Sequence, residues 1–348
     1  MTAPPPSPSR GMPGRRPRVA LAMQDKELRD TLFSDRLRRR LDAIADCDYD
    51  LLIQDFDAVP PAVLEKVDVL FTGWFCPRID ASALERMPAL GLIAHAGGTV
   101  KDHVDPACWE RKIVVTTAAL ANAIPVAEFS LAQILLAGKS ALGAAHLYRT
   151  RQGKIDRELE FPDAGNYEKT VGIIGASTIG RLVLEHLKNF DLDILLFDPT
   201  LSTAEARSLG ACKVGLNELM RRSDVVSLHA PVLPSTIGMI GRHELAAMRT
   251  GATFINTARG DLVDHAALRA ELLTGRINAV LDVTTPEPLP PHDPMYGLPN
   301  VLLTPHIAGS MGTELHRLTE FALTEIERFA DGVYPRYPVL NEDLATKA

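Results

Sequence analysis

The chain has 348 residues, 46% hydrophobic and 23% charged, which is enough for two cores and ordinary for a soluble globular protein. Its 44 acidic residues against 37 basic ones leave a net charge of −7 and a pI near 5.8, a balance that argues against nucleic acid as a main partner. Four cysteines, Cys47, Cys76, Cys108 and Cys212, contain no C-x-x-C pair, which argues against a disulfide framework or a zinc site and fits a reducing, cytoplasmic setting.

Residues 1–16 are rich in Pro, Ser and Arg and predict a disordered extension. Val19–Met23 is too short for the apolar core of a signal peptide, and no apolar stretch is expected to reach the length of a membrane span. Candidate strands then follow at Val19–Met23, Asp50–Ile53, Val67–Phe71, Leu90–Ala94 and Ile113–Thr116, alternating with helical patterns. That rhythm predicts an α/β fold with a parallel sheet covered on both faces. A long helix is expected over 126–149, started by Pro125, and a polar segment over Thr150–Lys169.

A second series of strands is expected at Val171–Ile174, Ile194–Phe197, Val225–Leu228, Thr253–Asn256, Ala279–Asp282 and Val301–Leu303, with an amphipathic helix over Thr313–Ala330. The two halves thus read as two doubly wound parallel sheets. In the second, the strands run into Gly175, Asp198, His229, Thr257-Ala258-Arg259, Asp282 and Thr304-Pro305-His306. Ligands of open α/β sheets bind beyond the carboxyl ends of the strands, so polar residues repeated there mark a site.

The first of these ends is a glycine turn, Gly175-Ala-Ser-Thr-Ile-Gly180, between a strand and a helix. Gly175 permits the turn, Gly180 lets the helix pack closely, and the free N–H groups of the helix start suit a pyrophosphate. Asp198, 18 residues beyond Gly180, stands where an acid binds the adenosine ribose. Ser177 replaces the central glycine of such turns, and its hydroxyl can donate to a phosphate oxygen. Asp198 is followed by Pro-Thr-Leu-Ser with no Arg to receive a 2′-phosphate, so NAD is expected rather than NADP.

With these residues in view, the chain resembles the D-isomer-specific 2-hydroxyacid dehydrogenase family from residue 17 onward. The resemblance is carried by Val171–Gly180, His229-Ala-Pro, Ile255–Asp264, Leu281–Pro288 and Leu303–Ser310. It implies a Rossmann NAD-binding domain, 121–307, inserted in a flavodoxin-like substrate domain made of 17–120 and 308–348. It also implies a homodimer formed partly by the 126–149 helix. By the same resemblance Arg259 clamps the substrate carboxylate, His306 is the acid/base and Glu287 its partner. Thr178 and Ile179 match the pair that touches the pyrophosphate, and Asp282 the position that binds the nicotinamide carboxamide. Ser177, His229, Thr257, Ala258 and Gly309 complete the expected cofactor set; His229 faces the nicotinamide end or satisfies the sheet edge. Gly98, Thr99 and Val100, in a segment similar to the family's glycine loop, are the expected substrate-binding backbone, with Val100 where a glycine is common.

These roles suit reversible hydride transfer on a D-2-hydroxy acid and its 2-oxo acid. A protonated His306 can give its proton to the carbonyl oxygen, Glu287 can favour the imidazolium, and Arg259 can hold the carboxylate with two parallel bonds. Glyoxylate-, hydroxypyruvate- and phenylpyruvate-like acids fit; a phosphorylated acid fits less well, because the substrate domain has no evident basic cluster. The alternative function is an NADH-responsive, co-repressor-like binding protein with little turnover. A formate-type enzyme is disfavoured because Glu287 stands where that type has Gln, and a phosphite-type one because it needs more positive charge. His95 and Trp74 are candidates for lining the substrate pocket. His103, His146, His186, His243, His265, His292 and His316 show no metal-ligand spacing, so no metal is expected.

Overall fold

In the computed structural model, residues 15–342 are described, and their strand pairings within both sheets are parallel. The central strands Val69–Thr72, Leu92–His95, Val225–Leu228 and Thr253–Asn256 are buried along their whole length, as expected of sheets covered on both faces. The expected disordered extension lies outside the described residues up to residue 14. Arg15 and Arg16, which were included in it, form ion pairs with Asp68 and Asp46.

The chain divides into two compact units, Met1–Asn122 with Ser310–Ala348, and Ala123–Gly309. The sequence-based boundaries at 120/121 and 307/308 lie two residues upstream of these on each side. In the first unit β1 (Arg18–Ala22), β2 (Asp46–Ile53), β3 (Val69–Thr72), β4 (Leu92–His95) and β5 (Val114–Thr117) stand in the order β2-β1-β3-β4-β5. This is the flavodoxin-like order. The C-terminal helix Leu315–Ala330 belongs to this unit because Leu318, Ala322, Leu323, Ile326 and Phe329 form one apolar stripe, buried in the same core as Leu21, Phe71 and Leu92. Each such large side chain contributes about 1.5–3 kcal/mol when fully buried.

The second unit holds β6 (Lys169–Ile174), β7 (Leu192–Phe197), β8 (Cys212–Lys213), β9 (Val225–Leu228), β10 (Thr253–Asn256), β11 (Asn278–Leu281) and β12 (Val301–Leu303). Their order is β12-β11-β10-β9-β6-β7-β8. Counted from β6 this is the dinucleotide-type order 3-2-1-4-5-6 with one further strand, and it reverses direction between β6 and β9. The glycine turn leaves β6 at that reversal.

Several local expectations are corrected. The single helix over 126–149 is two helices, Ala119–Gly138 and Ala141–Arg151, and Pro125 lies inside the first rather than at its start. The break has a non-local cause. Asn166 Nδ2 donates to the Leu135 carbonyl at 3.0 Å, Gly165 N–H donates to Gly138 O at 2.6 Å, and a side chain at 138 would collide with Asn166. Ser140 then turns the chain with φ of 50°.

The Ala119–Gly138 helix also corrects the expectation that no stretch reaches membrane-span length: at 20 residues and mean hydropathy 1.5 it is long and apolar enough by length and composition. Here one face of it is core. Ala123, Val126, Ala127, Ser130 and Ile134 are buried at helical spacing, and the Ser130 hydroxyl is 3.0 Å from that of Thr257. β2 begins four residues before the expected Asp50, since as an edge strand it can turn Asp46, Asp48 and Asp50 to solvent.

Candidate active site

The glycine turn is built from the sheet outward. Gly175 has φ of 92°, and a Cβ there would come within 2.7 Å of Ala230 N. A Cβ on Gly180 would collide with the Gly175 carbonyl oxygen, so the helix Thr178–Leu187 can approach β6 this closely only with glycine at that point. Ser177 is the N-cap of this helix, its Oγ accepting the Gly180 N–H at 3.3 Å. Its hydroxyl proton is not consumed by that bond. Thr178 and Ile179 open the first turn, where helix N–H groups have no intrahelical partner.

Asp198, at the end of β7, accepts Ala176 N–H at 2.8 Å, Thr200 N–H at 2.8 Å and the Thr200 hydroxyl at 2.6 Å. Burial alone would raise its pKa. The bonds from Thr200 and Ala176, with the charge of Arg181, outweigh it and hold the carboxyl below its usual range. His229 is buried, with Nε2 2.9 Å from Ser227 Oγ and Nδ1 without a partner among the described residues. Burial pushes its pKa down to about 4, so the ring is neutral.

These features fit a dinucleotide. A glycine cradle closed to any Cβ, a capped helix N-terminus, an ionised acid on the neighbouring strand and an orphaned buried ring nitrogen converge at the sheet's reversal point.

Of the catalytic candidates, the structure joins two directly. His306 Nδ1 lies 2.7 Å from Glu287 Oε1, with the side chains 49% and 42% exposed, so both are open to a substrate. His306 holds a left-handed backbone, φ 56°, a conformation that costs a non-glycine residue about 1–3 kcal/mol and persists only where the surroundings over-determine it. Asp282 does so. Its carboxylate, 2% exposed, accepts the Thr304 hydroxyl at 2.6 Å, Ile307 N–H at 2.8 Å and Ala308 N–H at 2.9 Å, while its carbonyl accepts His306 N–H at 3.0 Å. The residue expected to face the cofactor is thus first the organiser of the His306 turn, and three bonds leave a carboxylate room for one more.

Arg259 is exposed at the end of β10, with Nη1 donating to Ala258 O at 2.7 Å. Its backbone is held by Asn256, whose Nδ2 donates to Arg259 O at 2.9 Å and whose Oδ1 accepts Ala258 N–H at 3.0 Å. Sequence reasoning missed Asn256 as a site residue, although its polarity at the last position of the buried strand β10 is a signal; Thr304, just past β12, has its part in bonding Asp282. Thr257 and Ala258 are buried, and Gly309 ends the second unit.

In the first unit, Gly98, Thr99 and Val100 follow β4. Val100, the departure from glycine, is buried in the core cluster that also holds Val104 and Cys108. His95 is buried: Nδ1 is 2.9 Å from Thr72 Oγ1, the ring sits 4.6 Å from that of His103, and Nε2 has no partner among the described residues. Burial and then the neighbouring His103 push His95 well below its ordinary pKa, and burial pushes His103 down to about 4. Neither ring therefore supplies positive charge near the glycine loop. Among the described residues no group of three or more His, Cys, Asp or Glu side chains is placed to hold a metal.

Residues 133–308 match the family model for the D-isomer specific 2-hydroxyacid dehydrogenase NAD binding domain. The chain is 33% identical over 289 residues to a glyoxylate reductase of Korarchaeum cryptofilum, covering 80% of this chain and 86% of that one. It is 35% identical over 235 residues to a D-3-phosphoglycerate dehydrogenase of Archaeoglobus fulgidus, covering 67% of this chain and 44% of that one. Its matches span only 44 to 51% of the length of such phosphoglycerate dehydrogenases, about half. Among solved structures, the TT0316 protein of Thermus thermophilus is 33% identical with a TM-score of 0.70, covering 93% of this chain and 100% of that one.

Proposed function

The chain belongs to the D-isomer specific 2-hydroxyacid dehydrogenase family, and from that premise we propose that it interconverts a D-2-hydroxy acid and its 2-oxo acid. The observation that carries the reading is the 2.7 Å His306–Glu287 pair on a strand-end turn of the dinucleotide-type sheet. A nicotinamide dinucleotide, when bound, supplies or accepts the hydride. Gly175, Ser177, Thr178, Ile179, Gly180, Asp198, His229, Thr257, Ala258, Asp282 and Gly309 are the residues proposed to hold it. The ionised Asp198, already bonded to Thr200, would repel a 2′-phosphate, which favours NAD over NADP.

The chain's own residues then divide the work. Arg259 offers paired N–H donors to the substrate carboxylate and fixes which face of the carbonyl is presented. Because Nδ1 of His306 is committed to Glu287, Nε2 is the atom that exchanges a proton with the substrate oxygen. Glu287 orients the ring and compensates its charge when it is protonated. Asp282 keeps the His306 turn from relaxing, so the acid is placed before substrate arrives. Gly98, Thr99 and Val100 are proposed to present backbone N–H groups to a substrate carboxylate.

The test is stereochemical. NAD reduction is followed with the separate enantiomers of lactate, glycerate and mandelate. Reduction by a D-enantiomer alone is the expected result; reduction by an L-enantiomer, or by none despite NAD binding, would refute the reading. We also assign the helix Ala141–Arg151, none of whose residues is buried and which carries the exposed Tyr148, to a homodimer contact together with the exposed Leu159 and Tyr167. Sedimentation equilibrium should give the mass of two chains, and a monomer at working concentration would remove that assignment.

A further inference from the structure

The loop that carries Glu287 has little of its own to hold it: residues 285–288 are all exposed, and Thr284 Oγ1 bonds only within the loop, to Pro286 O at 2.7 Å. Surface loops of this kind open locally unless specific bonds fix them. Besides the Glu287–His306 contact, two bonds do so here, both to the segment that follows Arg259. The Thr285 hydroxyl donates to Asp261 Oδ1 at 2.9 Å, and Thr285 N–H donates to His265 Nε2 at 3.1 Å. The two segments are pressed together at Gly260, where a Cβ would collide with the Thr284 carbonyl and the Thr285 hydroxyl.

We propose that His265 is a positioning residue: its unprotonated Nε2 accepts the Thr285 N–H and so fixes the loop carrying Glu287 on the turn carrying Arg259. The inference rests on the dehydrogenase reading only where it concerns turnover.

His265 is suited to this. It is the first residue of the helix His265–Leu273, whose N-cap Asp264 accepts Ala267 N–H at 3.0 Å, so the ring is mounted on a fixed helix start. With Nε2 as acceptor, the ring proton resides on Nδ1. A second proton would sit on Nε2 and face the Thr285 N–H, donor against donor, and the bond would be lost.

The groups facing the ring are Asp261, Asp264, Arg269 and the Gly260 backbone, with Asp293 paired to Arg269 at 2.6 Å and Glu287 engaged by His306. Burial, then the charge of Arg269, favours the neutral ring; the Gly260 backbone, Asp261 and Asp264 oppose them. The net result is a pKa below the ordinary 6.5. The bond is therefore intact above the ordinary value and is lost as pH falls through the lower, folded one.

Amide hydrogen exchange of residues 283–289 and steady-state turnover, each at pH 7.5 and across an acid series, test this on the full chain with His265→Ala and His265→Gln. Exchange is corrected for its intrinsic pH dependence. His265→Ala should lower Thr285 protection at pH 7.5 by about fivefold to tenfold, the worth of one hydrogen bond, and lower kcat in step while cofactor affinity is unchanged. His265→Gln, whose side-chain carbonyl accepts but does not titrate, should restore both and abolish the acid-induced release of the loop. Thr285 exchange that is unaltered in His265→Ala, or an acid release that persists in His265→Gln, would overturn the inference. Wild-type protein that turns over no 2-oxo acid yet shows His265-dependent Thr285 protection would refute the dehydrogenase reading and uphold the positioning role.

Discussion

Replacing His306 by glutamine is expected to lower kcat and kcat/KM for 2-oxo acid reduction together, by about 10²- to 10⁴-fold, with NADH affinity unchanged. The size follows from what glutamine lacks. It can accept or donate a hydrogen bond toward Glu287, so the 2.7 Å contact can be kept in kind, but it has no proton to transfer at the position of Nε2. The fall should be equal in both constants because the proton moves only as charge develops on the substrate oxygen, so ground-state binding loses nothing. Steady-state kinetics with a fluorescence titration of NADH separate the two quantities. A variant retaining more than a tenth of wild-type kcat would take the acid role away from His306.

Arg259→Ala should act differently. Removing two charge-assisted bonds to the carboxylate is expected to lower kcat/KM by about 10²- to 10⁴-fold, with KM for the 2-oxo acid rising and kcat falling as the carbonyl loses its fixed orientation. Arg259→Lys should recover only part of this, since a single ammonium cannot reproduce the planar fork. The backbone at 259 is held by Asn256 rather than by the guanidinium, and the side chain is exposed, so the fold should tolerate both variants. Thermal unfolding checks that. Loss of activity accompanied by a large drop in melting temperature would point to a structural role instead, as would a KM unchanged in Arg259→Ala.

The architecture was legible because buried parallel strands write themselves as short apolar runs, and because each run in the second unit ended in Gly175, Asp198, His229, Arg259, Asp282 or His306. What escaped was set by contacts between residues distant in sequence. The break after Gly138 depends on Gly165 and Asn166, which arrive from the far side of the polar segment. A helix period read along the chain carries no trace of that. Pro125 reads as a helix start but sits inside a helix whose earlier turn is held by burial of Ala121 and Ala123.

The site shows the same division. The identities of Arg259, Glu287 and His306 could be read from their blocks, but not how they are held. Asp282 reads as a polar strand end open to a ligand, whereas its side chain turns inward to the His306 turn. His265 reads in the sequence only as a solvated or structural histidine, and only the folded chain brings it within 3.1 Å of a residue 20 positions away. Val100 reads as a defect in a glycine loop until its side chain is seen in the core.

The central claim, that this sheet-end cluster performs hydride and proton transfer on a 2-oxo acid, is tested most directly by NADH oxidation. The purified wild-type protein and His306→Gln are assayed side by side against glyoxylate, hydroxypyruvate and phenylpyruvate. Turnover of at least one acid by the wild type, lost by two orders of magnitude or more in the variant, is the predicted result. NADH that binds but is not oxidised with any of them, or oxidation that proceeds equally in both proteins, would contradict it.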